Sequence, residues 1–342
     1  MSVAAGTRAD IKGTAYVLPD RAVTNEMLTA ENPQWDMTRV MARTGVATRY
    51  VTRVDETAFD LACRACDLLF AEHPEARERI DAILFCTQSE DYVMPPNSSL
   101  LHGYLGFPEE VFAIDFNLAC SGFVYGLAIA QSLLASNIAT NVLLVTADTY
   151  SKYINPGDRA ARSLFGDGAA ATWVAASDSD RGLIDIQCST SGKNHRMFIV
   201  PAGGYRTPRT PETAIARADD SGNLRSLENI HMDGAGILSF VNARVPRQVR
   251  AILARSQMTI DDIDLVIFHQ ASQMALESLN LRLRIPNEKS FTNLREVGNT
   301  VSASIPIALR DATDQGRVRP GDRILLCGFG VGMSWATAIL QA

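Results

Sequence analysis

Four stretches of the chain are apolar almost without a break: AILFC within IDAILFCTQ (80–88), VLLV within NVLLVTAD (141–148), LVIF within IDLVIFHQA (263–271) and ILLC within DRILLCGFG (322–330). Runs of this kind, which do not alternate with polar residues, predict strands buried on both faces. Between the members of each pair the chain turns through small residues into a longer apolar, helix-like pattern: ACSGFVYGLAIAQSLLAS in the first half and VGNTVSASIPIALRDATDQG in the second. The spacing repeats. Asp81 and Asp264 stand 183 residues apart, Cys120 and Asn299 179, and Asn141 and Asp322 181. Three nearly equal offsets in the same order predict two copies of one α/β unit packed together, with a helix start from each copy facing a common centre.

Residues 201–234, PAGGYRTPRTPETAIARADDSGNLRSLENIHMDG, break the pattern. Rich in Gly, Pro, Thr and charge, they read as an insertion or capping loop over a site. A length of 342 residues allows one large α/β unit or two domains, with a sizeable core. With 46% hydrophobic and 20% charged residues and a mean hydropathy near zero, the composition is that of a soluble globular protein. The net charge of −6 argues against general nucleic-acid binding, which needs an excess of Lys and Arg. The opening MSVAAGTRADIKGTAYVLPD lacks the apolar core of a signal peptide, and no window has the roughly 18 apolar residues of a membrane span, so a cytoplasmic protein is expected. Six cysteines (Cys63, Cys66, Cys86, Cys120, Cys188, Cys327) sit mostly in apolar contexts and are expected as reduced thiols. Cys63 and Cys66 form a CxxC inside the helical pattern AFDLACRACDLLFAEH with no second ligand pair, which predicts core packing rather than zinc.

Cys120 stands apart, lying at the joint between a short apolar strand and an apolar helix, flanked by Ala119 and Ser121-Gly122. A helix N-terminus favours the thiolate through unpaired N–H groups and the positive end of the dipole, and a glycine lets backbone or substrate come close. A buried structural thiol is the plain alternative. His269 shifts the balance, because it follows DLVIF at the C-terminal end of a predicted central strand, where α/β proteins concentrate their chemistry. Asn299 falls at the predicted start of the second copy's helix, where alone it would be an ordinary cap.

Together, DFNLACSGFVYGL, FHQAS, VGNTVSASIPIAL and GFGVGMSWA resemble the motifs of the thiolase-fold condensing enzymes, most closely the β-ketoacyl-acyl carrier protein synthase III family. The likeness runs from GTAYVLPDRAVTN through RTGVATR and DRAARSLFGDGAAA to the last strand. It implies an α/β, thiolase-like fold, internally duplicated in five layers, α-β-α-β-α. The N-terminal half, 1–180, would carry the nucleophilic cysteine, and the C-terminal half, 181–342, the His and Asn. In that family the matched Cys120 would take an acyl group from coenzyme A or a carrier protein as a thioester. A malonyl-type thioester would then lose carbon dioxide and attack it, with His269 and Asn299 donating to the thioester oxygen where enolate charge develops. The backbone N–H groups of Cys120 and Val331 would hold the tetrahedral oxyanion. No metal or cofactor is implied beyond the thioester substrates. Trp35 and Arg159 resemble the pair that sandwiches the adenine of coenzyme A, and Met94 a position that reaches toward a partner's acyl pocket, which implies a homodimer. For Trp35 and Met94 core packing is the plain alternative.

Within the superfamily, reversible thiolases resemble this fold but carry a histidine at the position of Asn299 and a second reactive cysteine in the C-terminal glycine motif; Cys327 falls one place from that cysteine. The Cys-His-Asn set therefore favours decarboxylative condensation. The chain also departs from the housekeeping pattern: Ser272 replaces the Asn of HQAN, Met274 an arginine that helps dock the carrier protein, Ile237 an Asn that contacts the pantetheine arm, and Val331 interrupts a run of glycines. These departures point to a specialised pathway, such as secondary-metabolite or surface-glycan assembly. Arg244, Arg247, Arg250 and Arg255 offer an alternative docking surface for an acidic carrier protein, or a solvated charged face. Two other functions stay open at this point: an acyltransferase that passes the acyl group to an alcohol or amine, and a non-catalytic thioester-binding protein. Gly328-x-Gly330-x-Gly332 only loosely resembles a dinucleotide loop and has no βαβ continuation.

Overall fold

The computed structural model describes residues 7–177 and 179–342; residues 1–6, which begin the stretch read for a leader, and residue 178 lie outside the described chain. Two sheets carry the fold. The first contains β1 (Ala9–Val17), β2 (Ala82–Cys86), β3 (Phe112–Phe116), β4 (Asn141–Asp148) and β5 (Gly168–Ala176), in the order β1-β5-β4-β2-β3. The second contains β6 (Gly182–Thr190), β7 (Leu265–Phe268), β8 (Arg323–Gly330) and β9 (Ser334–Gln341), in the order β7-β8-β9-β6. The four apolar runs are β2, β4, β7 and β8, and every residue of β2 and β7 is buried.

The duplication can be followed hydrogen bond by hydrogen bond. β2 runs parallel to β3 and β4, and β7 parallel to β8. Just before β2, the Asp81 N–H donates to the Asn141 carbonyl, and the Asp81 carboxylate accepts from the N–H groups of Thr140 and Asn141 at 2.8 Å each. Just before β7, the Asp264 N–H donates to the Arg323 carbonyl, and its carboxylate accepts from the Arg323 N–H at 2.8 Å. The repeated Ile-Asp is therefore a register clamp, giving partners to N–H groups where the neighbouring strand begins. The copies differ at one edge, where the counterpart of β3 shrinks to a single bridge between Val266 and Ser290.

The helices that bear on the layers and the site are α1 (Met37–Thr44), α2 (Ala58–Glu72), α3 (Gly122–Ala135), α4 (Gly234–Arg255) and α5 (Ser304–Asp314). α3 and α5 lie between the two sheets, α2 covers the outer face of the first and α4 the outer face of the second, giving the layers α-β-α-β-α. α3 is apolar nearly all round, as a helix buried between sheets must be. Its Gln131 spends its amide on the Ala9 N–H and the Thr7 carbonyl, tying the helix to β1. α2 starts on a capping box between Thr57 and Asp60, and its Cys63 and Cys66 are buried among Leu61, Leu69 and Phe70. Within 201–234, a two-residue hairpin (217–218 with 224–225) is fastened to the chain near Arg159: the Leu224 N–H donates to the Gly157 carbonyl, and Arg225 grips the Asp158 carboxylate at 2.5 and 3.1 Å. Among the described residues, no helix is long and apolar enough to cross a membrane.

Candidate active site

Cys120, His269 and Asn299, 179 residues apart at their extremes, line one cleft of about 850 Å³. Cys120 sits in the turn between β3 and α3, two residues ahead of the helix. Three glycines let the chain close up around this joint. A Cβ on Gly122 would stand 2.3 Å from the Cys86 sulfur, one on Gly328 2.5 Å from the Cys120 carbonyl oxygen, and one on Gly330 2.7 Å from both the Cβ and the Sγ of Cys120. The small residues of ACSG and GFG are thus the condition for packing a helix start against two strand ends.

His269 follows β7, its N–H donating to the Cys327 carbonyl at 2.8 Å and its ring edge-on to Phe329 at 5.6 Å. Its Nδ1 lies 2.6 Å from Ser304 Oγ. Burial pushes the imidazole down to about 3, so the ring is neutral at physiological pH. Asn299 enters a short 3₁₀ turn, Val301–Ala303, and its Oδ1 accepts from the Val301 N–H at 3.0 Å. That bond turns the amide nitrogen toward His269 Nε2, 3.4 Å away. Val301 adopts a φ of +56°, a left-handed conformation that is costly for a β-branched residue and persists only because its surroundings impose it.

The backbone N–H groups of Cys120 and Val331 act on the Cys120 sulfur and favour its thiolate. The helix start favours the thiolate, as expected, but does not prevail: burial, joined by the Asp148 carboxylate, pushes the thiol up to about 12. Desolvation of the charged form outweighs two N–H dipoles. Asp148 ends β4 and is itself pushed up to about 7 by burial, although it accepts from the Gln88 N–H at 2.8 Å, the Ser302 N–H at 3.2 Å and the Ser302 hydroxyl at 2.5 Å.

Of the other residues singled out in the sequence, Ile237, Ser272, Met274 and Arg159 line the cleft. Ser272 also caps the following helix through the Ala275 N–H. Trp35 does not line it: only 7% exposed, it packs with Val23, Leu28 and Met37, because α1 begins two residues later and turns Asp36, Arg39, Val40, Arg43 and Thr44 to the cleft instead. Met94 is 75% exposed, beside the exposed Tyr92 and Val93, rather than in the core. The arginine row on α4 is not a free cationic stripe. Arg255 is held by Asp185 in two bonds of 2.7 Å, Arg250 donates to the Arg282 carbonyl, and Arg244 lies over the Phe240 ring. Cys327 is buried in β8 beside Thr337 and does not line the cleft. Ser221 and Asn223, from the 201–234 segment, stand at the mouth near Arg159.

Sequence reasoning missed several groups. Arg39 and Arg43 add positive charge to the mouth, and Phe165 and Phe198 wall the interior with Tyr150 behind them, 5.5 and 6.1 Å from their ring centres. Asp148 was open to the rule that picked out His269, being a polar residue at the C-terminal end of a central strand. Ser304 gave no such signal.

Residues 114–192 match the sequence profile described as 3-oxoacyl-[acyl-carrier-protein (ACP)] synthase III, and residues 253–342 the profile of its C-terminal region. The β-ketoacyl-[acyl-carrier-protein] synthase III 3 of Streptomyces coelicolor is 34% identical over 340 residues, covering 98% of this chain and 97% of its own. A solved 3-oxoacyl-(acyl-carrier-protein) synthase III superposes with a TM-score of 0.95 at 39% identity, over 98% of this chain and 100% of its own. The priming β-ketosynthase of the R1128 polyketide biosynthetic pathway superposes with a TM-score of 0.85 at 25% identity, over 100% of this chain and 98% of its own.

Proposed function

The chain belongs to the β-ketoacyl-[acyl-carrier-protein] synthase III family and is a condensing enzyme of the acyltransferase class; on that premise we propose that Cys120 is its nucleophile and that His269 and Asn299 stabilise the carbanion. First, the Cys120 sulfur attacks the carbonyl carbon of an acyl thioester. A carbon–sulfur bond to Cys120 forms, the bond to the donor's sulfur breaks, and the thiol proton leaves with that sulfur. The tetrahedral oxygen is received by the N–H groups of Cys120 and Val331, a role supported by their action on the Cys120 sulfur. A malonyl-type thioester then binds and its bond to the carboxylate carbon breaks. Carbon dioxide departs, and the electron pair passes into an enolate whose oxygen is held between His269 Nε2 and Asn299 Nδ2. The enolate carbon attacks the acyl carbonyl, the new carbon–carbon bond forms, and Cys120 leaves as a thiolate that takes a proton from solvent.

The observation that carries this reading is the convergence in a single cleft of one buried thiol, with two backbone N–H groups acting on its sulfur, and two side-chain nitrogens 3.4 Å apart. At groups as buried as Cys120, His269 and Asn299 each donor is worth more than it would be in water. Transfer to an alcohol or amine is not favoured, because it needs a proton acceptor facing the cleft where this site offers two donors. Arg39, Arg43 and Arg159 at the mouth suit the phosphates of coenzyme A or of a carrier protein's phosphopantetheine. A homodimer is supported by β3, an edge strand whose five residues are all partly exposed. Asp115 of β3 accepts from the N–H groups of Asn97 and Ser98, which brings the exposed Tyr92–Met94 loop next to that edge. The changed residues Ser272, Met274 and Val331 support a role in a specialised pathway. The test is release of labelled carbon dioxide from malonyl thioester in the presence of an acyl donor. The reading predicts release together with a β-ketoacyl product and loss of both in His269→Ala; acyl transfer to an alcohol or amine with no carbon dioxide would contradict it.

A further inference from the structure

The carbanion step assigned above needs a proton on His269 Nε2, and a neutral imidazole carries only one N–H. What Nδ1 meets decides where that proton sits. Ser304 Oγ lies 2.6 Å from Nδ1, and Ser304, the first residue of α5, is buried behind the ring and does not line the cleft. Among the described residues the hydroxyl has one other polar neighbour, the Gln270 N–H at 3.5 Å, which can only donate. The oxygen therefore accepts from Gln270, and its own proton has one place to go, the lone pair of Nδ1. On the cleft side the same logic fixes Asn299. With Oδ1 taken by the Val301 N–H, its NH₂ group faces Nε2 at 3.4 Å. The same NH₂ group also reaches the Ala271 carbonyl at 3.4 Å. With the proton on Nε2, that nitrogen and the Asn299 amide are two donors that do not bond each other and suit one shared acceptor oxygen.

We propose that Ser304 is a positioning residue for the condensation, donating its hydroxyl proton to His269 Nδ1 and so locking the ring in the Nε2–H form that faces the thioester oxygen. The proposal rests on the reading of His269 as a donor in the carbanion step. The turn that delivers Ser304 is anchored from the other half of the molecule, since the N–H and hydroxyl of Ser302 both donate to Asp148 while Val301 is held left-handed between Asn299 and Ser302. Ser304 thus acts on the chemistry through His269 alone.

The test is nitrogen-15 NMR of histidine-labelled protein, with the His269 signals picked out from the five histidines by their loss in His269→Gln. The wild type is expected to carry its proton on Nε2. In Ser304→Ala that signature should move toward a mixture of the two forms, malonyl decarboxylation should fall about ten- to a hundredfold, and loading of Cys120 by acyl-CoA should stay within about twofold. Ser304→Thr, which keeps the hydroxyl, should restore both the signature and the decarboxylation. A wild type with its proton on Nδ1 overturns the proposal. So does a Ser304→Ala enzyme with undiminished decarboxylation, or one that loses loading and decarboxylation in equal measure. A wild type that shows the Nε2 proton but releases no carbon dioxide refutes instead the condensation reading on which the proposal rests.

Discussion

The two halves cross each other at the centre of the molecule, and the two crossings are built differently. α3 begins at Gly122 and α5 at Ser304; two residues ahead of each lie Cys120 and Ser302. Each of those residues meets the end of the other half's central strand: Cys120 meets Gly330, the last residue of β8, and Ser302 meets Asp148, the last residue of β4. At the first crossing the strand ends without a side chain, leaving space at the sulfur. At the second it ends in a buried carboxylate gripped by three hydrogen bonds. The ends of β2 and β7 differ in the same way, with Cys86 donating to the Leu118 carbonyl where the second half has His269 facing the cleft. Duplication supplies two similar crossings; in the proposed mechanism one is left open for substrate and the other is locked, so that the turn carrying Asn299 and Ser304 stays in place.

Filling the open crossing should have the largest effect. Gly330→Ala puts a methyl group 2.7 Å from the Cys120 sulfur, so one of the two must shift. Acyl loading is expected to fall on the order of a hundredfold, with a loss of about 1–3 kcal/mol in stability. Loading kinetics with unaltered rates would show that the space is not needed. Next comes the locked crossing. The Asp148 carboxyl is raised to about 7, above its value of about 3.9 in the unfolded chain, so the folded state keeps a proton that the unfolded state has already released. Stability should therefore decline as pH rises from about 4 to about 7. Asp148→Asn should flatten that decline, as read by melting temperature across pH 5 to 8; identical slopes for the two proteins would remove the buried carboxyl from the account.

A smaller effect is expected on the thiol itself. Because the sulfur is held near 12, alkylation of Cys120 by iodoacetamide should keep accelerating up to pH 10 without a plateau, and a plateau near neutrality would mean that the helix start prevails over burial after all. The mildest change is at the rim, away from both crossings. Arg39→Glu is expected to raise KM for acyl-CoA by about three- to tenfold at low salt with kcat nearly unchanged, and the gap should close as ionic strength rises. A fall in kcat with unchanged KM would place Arg39 nearer the chemistry than its exposed position at the mouth suggests.

Much of this was legible in the sequence because it is written in runs. The four apolar strands, the small-residue turns and their repeated offsets gave the duplication, and the joints between them gave Cys120, His269 and Asn299, which the structure brings into one cleft. What escaped depended on contacts between distant segments or on which way a side chain turns. Trp35 carried a family likeness, yet the turn into α1 points it into the core and leaves Arg39 and Arg43 at the mouth. Ser302 meets Asp148 across 154 residues, and Ser304 meets His269 across 35. Nothing local to SASIP marks a serine that faces an imidazole rather than solvent. The arginines of α4 read as a row, but three of the four are engaged, by a carboxylate, a carbonyl and a ring.

The central claim is that Cys120 carries the acyl group between two thioesters. Intact-protein mass spectrometry after incubation with a panel of acyl-CoAs and acyl-carrier proteins, comparing wild type with Cys120→Ala, tests it most directly. The account predicts an increment equal to the acyl group on the wild type alone, discharged when malonyl thioester is added. An increment on both proteins, or on neither with any donor, would contradict it.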